Sequence, residues 1–270
     1  MTRRSVVIIT GAAGGIGKAT AFKFAESGFI PVLVDIDKEA LERVSDDLRG
    51  LTDELLMLDG DLQDDGFRNK IISETMKSYG RIDVLVNNAA WRSIGTMRTI
   101  SLEDWKKTIH INLTAPAFLA KYAAEQMEKH RLPGVIVNLS SVMSSRTGGY
   151  APAYTACKGG IESLTYELAT LYGPRQIRVV CLAPGNVDTP MSKDYVNSEN
   201  DNISNDLGSE MNVNTPLLRS AAPSEIANAI YWIASPEASF ITGTTMDIDG
   251  GFSKNFNSYP AKKRLNSQEF

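Results

Sequence analysis

Apolar positions along the chain fall into short, nearly unbroken β-branched runs. These alternate with longer stretches in which apolar residues recur every three or four positions. The runs at 5–10, 30–35, 54–59, 82–87, 134–140, 177–182 and 244–248 read as strands. Between them the helical period predicts helices over 15–27, 38–49, 64–79, 102–129, 153–172 and 224–234. Gly28 and Gly80 stand where the first and third helices should close, and Ser101 stands where the fourth should be capped. Pro116 lies inside that fourth helix. A proline has no N–H to give and its ring crowds the preceding turn, so a kink or break is expected there. Strands that are apolar throughout leave no face for solvent. Alternating with helices, they imply an α/β fold: one doubly wound, seven-stranded parallel sheet of the Rossmann type with helices on both faces, filling residues 1–252.

Two stretches break the alternation. Residues 190–220 are rich in Asn, Asp and Ser and show no period, which predicts a lid over a site, with a disordered or helical insert as the alternatives. The apolar side chains with which it could close are Met191, Tyr195, Leu207 and Met211. Residues 253–270 are polar apart from scattered aromatics and read as a solvated tail, a subunit contact being the other use.

Composition narrows the class. With 43% hydrophobic and 22% charged residues the chain has the mix of a globular protein, which excludes disorder and collagen-like structure. Against 32 acidic residues stand 28 basic ones, a formal net charge of −4, whereas a nucleic-acid scaffold needs a basic excess; no nucleic-acid partner is expected. No apolar run approaches the roughly 18–20 uncharged residues of a bilayer span. The apolar start at 5–9 is too short for a signal-peptide core and runs into glycines, so no membrane association and a cytoplasmic location are expected. Two cysteines cannot make a disulfide framework, and with only two histidines a zinc site would need an unusual ligand set, so no metal is expected.

The candidate chemistry lies in the turns. Between the first strand and first helix runs Thr10-Gly11-Ala12-Ala13-Gly14-Gly15-Ile16-Gly17. Gly11 permits a tight turn, while Gly15 and Gly17 let backbone approach a phosphate and let the helix pack close to the sheet. The helix N-terminus then offers unpaired N–H groups to an anion. A ligand-free tight turn would use the same glycines. Asp35 ends the second strand, where a carboxylate can accept both ribose hydroxyls of an adenosine and repel a 2′-phosphate. Residues 12–15 hold no basic side chain and Lys18 is already in the helix, which favours NAD over NADP. Asp61-Leu62, after the third strand, could add an adenine contact. Tyr154 and Lys158, spaced i, i+4, share one helix face, and an ammonium beside a phenol favours the phenolate. Ser141, at the end of the fifth strand, can polarise a carbonyl at the mouth of the sheet.

In this company the chain resembles the classical short-chain dehydrogenases/reductases over about residues 5–252. The matching pieces, in order, are Thr10-Gly-x-x-x-Gly-x-Gly17, Asp61-Leu62, Asn87-Asn88-Ala89-Ala90, Asn112, Ser141, Tyr154-x-x-x-Lys158 and Pro184-Gly185-Asn186-Val187-x-Thr189. The resemblance implies roles. Tyr154 would be the general acid/base, Lys158 would bind the nicotinamide ribose and lower the tyrosine pKa, and Ser141 would orient the substrate oxygen. Asn112 would hold a water linking Lys158 to solvent. Gly11, Gly15, Ile16, Gly17, Asn88, Ala89, Pro184, Gly185, Val187 and Thr189 would line the cofactor, and Asp35 would select NAD. Ala90 stands where glycine is commoner in the family and Cys157 where small residues are usual; neither departure threatens catalysis. The family also implies a homotetramer.

The function implied is NAD-dependent hydride transfer to or from a secondary alcohol or carbonyl. Trp91, Arg92, Arg146 and Tyr150 are the candidate substrate contacts beside Ser141, a subunit or surface contact being the other use of Trp91 and Arg92, and the polarity of these segments suits a sugar or polyol. A 3-oxoacyl thioester reductase is the second reading, weakened by the missing basic residue in the glycine loop. A catalytically silent NAD-sensing protein is the third, opposed by the intact Ser, Tyr, Lys and Asn. Cys157, with no histidine at motif distance, reads as a small buried residue, and His110 reads as structural.

Overall fold

The computed structural model describes residues 4–197 and 199–270. Its strands are β1 (Val6–Thr10), β2 (Ile30–Asp35), β3 (Leu56–Asp59), β4 (Val84–Asn87), β5 (Gly134–Leu139), β6 (Ile177–Pro184) and β7 (Thr245–Ile248). They form one parallel sheet in the order β3-β2-β1-β4-β5-β6-β7. Each central strand is buried on both faces, so its alternate residues feed two cores. Ile8 pairs with Val32 on one side and Leu85 on the other. With Val6, these side chains join a core under Phe67, Ile71 and Leu119. Val7 and Ile9 point to the other face and pack with Phe24, Leu41 and Ile226. Burying each such side chain contributes roughly 1.5–3 kcal/mol, which is why these strands carry no polar alternation.

The helices are α1 (Gly15–Glu26), α2 (Lys38–Leu48), α3 (Asp65–Tyr79), α4 (Leu102–Ile109), α5 (Ala115–His130), α6 (Pro152–Tyr172), α7 (Ser204–Asn214), α8 (Pro223–Ala234) and α9 (Tyr259–Leu265). Asp37, Asp64 and Ser101 cap α2, α3 and α4 through side-chain bonds to backbone N–H groups. The long helix foreseen over 102–129 is interrupted, but ahead of the proline. A π turn spans His110–Thr114, where the Ala115 N–H reaches back to the His110 carbonyl, and Pro116 then sits in the first turn of α5, where a missing N–H costs least.

Two segments read as irregular carry structure. Residues 190–220 contain a 3-10 turn at Pro190–Lys193 and the helix α7, of whose residues only Ser204 is buried. With so few side chains in a core, the helix leaves no hydrophobic period to read. The tail, expected to be solvated, folds from its start. A 3-10 turn spans Phe252–Lys254, and the Arg146 guanidinium donates to the carbonyls of Phe252 (2.6 Å) and Asn255 (2.9 Å). Asn255 Nδ2 in turn donates to the Asn214 carbonyl at the end of α7 (2.7 Å). Among the described residues no helix is long and apolar enough to cross a membrane.

The chain runs outward from β1 to β2 and β3, then returns to place β4 on the other side of β1. Neighbouring connections therefore leave the carboxyl ends of β1 and β4 in opposite directions, and a crevice opens between them.

Candidate active site

A cleft of about 640 Å³ occupies that crevice. Sheet order sets the sequence of groups along it: Asp35 from β2, the glycine loop from β1, Asn88 and Ala89 from β4, Ser141 after β5, and Gly185 to Thr189 after β6. Tyr154 and Lys158 enter from α6.

The glycine loop is shaped by its neighbours. Gly11 has φ +68, and a Cβ there would fall 2.8 Å from Asn88 Nδ2 and 2.9 Å from the Ala89 Cα. A Cβ on Gly17 would overlap the Gly11 carbonyl, so α1 can approach its own entry turn only with glycine at that position. Asn88 stitches the loop to β4, its Nδ2 donating to the carbonyls of Thr10 (2.9 Å) and Gly11 (3.1 Å). Gly14, the N-cap of α1, offers no side-chain cap, and a Cβ there would meet nothing within 4 Å. The first-turn N–H groups of α1 are thus left for an anion beside open space. Asp35 Oδ2 accepts from the Ala13 N–H (2.9 Å) and Oδ1 from the Asp37 N–H (3.1 Å). Each oxygen keeps a further lone pair for a ribose hydroxyl. This set of glycines, helix N-terminus and terminal carboxylate fits a dinucleotide.

Farther along, Tyr154 and Lys158 are buried on one face of α6, which Pro152 starts. The Lys158 ammonium lies 5.1 Å from the Tyr154 ring centre and donates to the Leu139 carbonyl (2.6 Å), which fixes its position at the end of β5. Ser141 Oγ accepts from the Met143 N–H (3.2 Å) as the cap of a short 3-10 turn. Cys157, between the pair, is buried; burial pushes its thiol up to about 11 although Lys158 pulls the other way, so it stays protonated at neutral pH. Its Sγ lies 3.6 Å from the Thr108 carbonyl.

Most of the residues singled out from sequence meet here, but five do not line the cleft. Gly17 faces the Gly11 turn, and Leu62 is buried in the core with Phe67. The Asp61 carboxylate is held by the backbone and side-chain N–H groups of Gln63 (2.8 and 3.0 Å). Trp91, expected to touch substrate, turns its ring to Lys107 on α4, whose Nζ lies 4.3 Å from the ring centre. Asn112 is buried in the π turn and directs its side chain at that same loop. Its Nδ2 donates to the Trp91 carbonyl (2.6 Å) and the Thr108 carbonyl (2.9 Å), and its Oδ1 accepts the Trp91 N–H (3.3 Å). Arg146 lines the cleft with its guanidinium turned to the tail carbonyls.

Val142, Met143 and Phe252 are among the lining residues not singled out from the sequence. Phe252 sits 4.8 Å from the Arg146 guanidinium, and its one sequence signal was an aromatic directly after Gly250-Gly251. Three of the foreseen closing side chains, Met191, Tyr195 and Met211, do line the cleft; Leu207 does not. Burial and the facing Tyr195 push the Tyr150 phenol up to about 12, so it serves as a hydrogen-bonding group and not as an acid at neutral pH.

Comparison with known proteins follows this geometry. A family model described as enoyl-(acyl carrier protein) reductase matches residues 11–253. The chain is 34% identical to the 3-oxoacyl-[acyl-carrier-protein] reductase FabG of Thermotoga maritima, over 91% of this chain and 96% of that one. It is 33% identical to the meso-2,3-butanediol dehydrogenase of Serratia marcescens, over 91% and 93%. Levodione reductase, a solved structure, superposes with a TM-score of 0.88 at 29% identity, over 93% of this chain and 98% of that one. With a parallel seven-stranded sheet and the glycine loop, Ser141, Tyr154 and Lys158 on one cleft, the chain belongs to the short-chain dehydrogenase/reductase family, oxidoreductases that act on alcohol and carbonyl groups with a nicotinamide dinucleotide.

Proposed function

We propose that this protein is an NAD-dependent dehydrogenase acting on a secondary alcohol or its carbonyl, of the sugar or polyol class, and working as a homotetramer. The observation that carries the reading is that Ser141, Tyr154 and Lys158 converge on one cleft whose far end holds Asp35. When bound, the nicotinamide supplies the hydride chemistry. The residues of the chain supply position and the proton. Tyr154 gives or takes the proton at the substrate oxygen, Lys158 holds positive charge beside the phenol, and Ser141 donates to the same substrate oxygen. Asn112 acts from behind by fixing the Trp91 backbone.

Support for NAD comes from charge. Asp35 faces the cleft, its neighbour Ile36 is exposed and uncharged, and the nearby Lys18 is paired with Asp47 at 2.8 Å. No basic group of that set is free to meet a 2′-phosphate. Support for a hydroxylated substrate comes from Arg92, Tyr150 and Tyr195 on the cleft wall and from the similarity to a butanediol dehydrogenase. The thioester reading draws on Met143, Met191 and Met211, adaptable apolar side chains on the same wall, and on the similarity to FabG.

The test is a screen of polyols, sugars, hydroxyketones and hydroxyacyl thioesters with NAD and NADP, run on wild type and Tyr154→Phe. Turnover of polyols with NAD is expected, with Tyr154→Phe slower by about 10²–10⁴-fold while still binding reduced cofactor. A variant that keeps more than a tenth of wild-type turnover where chemistry is rate-limiting refutes the role of Tyr154.

A further inference from the structure

Strand alternation divides the end of β5 between two faces. Ile136 packs in the core shared with Leu168 and Ala169 of α6, and Asn138 and Ser140 follow it on that face. Leu139 belongs to the opposite core. Each of the last residues before Ser141 is tied to α6. Asn138 Nδ2 donates to Thr165 Oγ1 (2.9 Å), and the Leu139 carbonyl accepts from the Lys158 ammonium (2.6 Å). Ser140 is 3% exposed, and its hydroxyl lies 3.0 Å from the Lys158 carbonyl and 2.6 Å from Glu162 Oε1.

A serine hydroxyl has one hydrogen to give. The Lys158 carbonyl sits inside α6, where the amide four residues on already serves it. A carboxylate takes a shorter and stronger bond from a hydroxyl than a neutral carbonyl does, so the Ser140 hydrogen goes to Glu162. Glu162 is half-buried, and among the described residues Ser140 is its one hydrogen-bond partner and no cation pairs with it. Tyr154, Lys158 and Glu162 follow at i, i+4 and i+8 on one stripe of α6. The bond therefore grips the helix on the stripe that carries the proton-transfer pair, from the residue next to Ser141.

We propose that Ser140 and Glu162 are positioning residues for the reaction: their hydrogen bond fixes the end of β5, and with it Ser141, against the helix face that carries Tyr154 and Lys158. The inference rests on the roles proposed above for those three residues and adds what holds them in register. The Ser140 hydroxyl acts through α6 and not on the substrate. Hydride and proton transfer need the reacting atoms in near-attack geometry, where a shift of about 1 Å can cost about 10²-fold.

The test compares wild type, Ser140→Ala, Glu162→Ala, Glu162→Gln and the double alanine variant on a substrate turned over in the screen. Turnover is counted per cofactor site, titrated with reduced cofactor, so that an unfolded fraction does not enter. Both single alanine variants should lose at least about tenfold in kcat while KM for the cofactor stays within about threefold. Glu162→Gln keeps an acceptor oxygen and should stay within about threefold of wild type. The double variant should fall no further than the worse single one, because both remove the same bond. Glu162 lies at a half-buried helix position, so its variants decide the matter if Ser140→Ala fails to fold. Hydrogen exchange of the free protein adds a reading that needs no substrate: amides at 141–144 should exchange at least about tenfold faster in the alanine variants and at the wild-type rate in Glu162→Gln. Alanine variants with wild-type kcat and exchange overturn the proposal, as do losses that multiply in the double variant or a Glu162→Gln variant as slow as Glu162→Ala. If Tyr154→Phe keeps its turnover, or nothing in the screen is turned over, the reading of the site fails by itself, and the exchange rates alone decide whether the Ser140–Glu162 bond holds the end of β5.

Discussion

Asp35 is aimed before any ligand arrives, because the amides of Ala13 and Asp37 each hold one of its oxygens. A fixed carboxylate discriminates sharply: it accepts from a ribose diol and repels a phosphate in its place. Asp35→Ala should therefore weaken NAD and move the NAD/NADP ratio of kcat/KM toward NADP by at least about tenfold, or about 1.4 kcal/mol. Steady-state kinetics with both cofactors reads the shift, and a wild type that already prefers NADP refutes the assignment. Residues such as Asp35, Tyr154 and Lys158 were legible in the sequence because local geometry places them, at a strand end or one turn apart on a helix. The contact between Asn112 and Trp91 was not. Their meeting depends on a loop and a π turn brought together across twenty-one positions, and no local spacing encodes it.

At the scale of elements, the strands were legible to within a few residues because burial on both faces leaves long apolar runs; their order in the sheet was not read from the sequence. Helix interiors were less legible. Pro116 announced a disturbance, but the backbone absorbs it ahead of the ring, in the π turn at His110–Thr114. The segment 190–220 was opaque for a different reason: α7 buries only Ser204, so packing imposes no period on its sequence. Its attachment runs instead through polar bonds, chiefly from Arg92 to Met191, Asp194 and Tyr195. We propose that it acts as a lid. Few apolar anchors and many solvent-facing bonds make for cheap local opening, and closure over substrate would exclude water from the reacting atoms. Hydrogen exchange should show weak protection across 190–220 in the free protein and a gain with reduced cofactor and a substrate analogue together. Strong protection that ignores ligand identifies a permanent insert.

For the whole molecule, several large apolar groups lie on the outer surface. Phe118 on α5 and Tyr166 on α6 are 40% and 43% exposed, while Phe240 and Phe256 are almost bare. We propose that they lie in the subunit contacts of the homotetramer proposed above. Light scattering at micromolar concentration should give a mass four times that of the chain, and a monomer mass refutes the assembly. The tail belongs to this scale too. Residues 253–270 were read as a solvated end and none of their side chains is buried, but the first of them are tied in: the Asn255 carbonyl, with that of Phe252 just before the tail, receives the Arg146 guanidinium, and Phe252 walls the cleft. The stretch after β7 thus bounds the substrate space, held by its carbonyls on Arg146 and by Ser253 and Lys254 on Asp247 of β7. Exchanging Phe252 for a smaller side chain should widen the substrate end of the cleft while leaving the cofactor groove and the proton donor as they are.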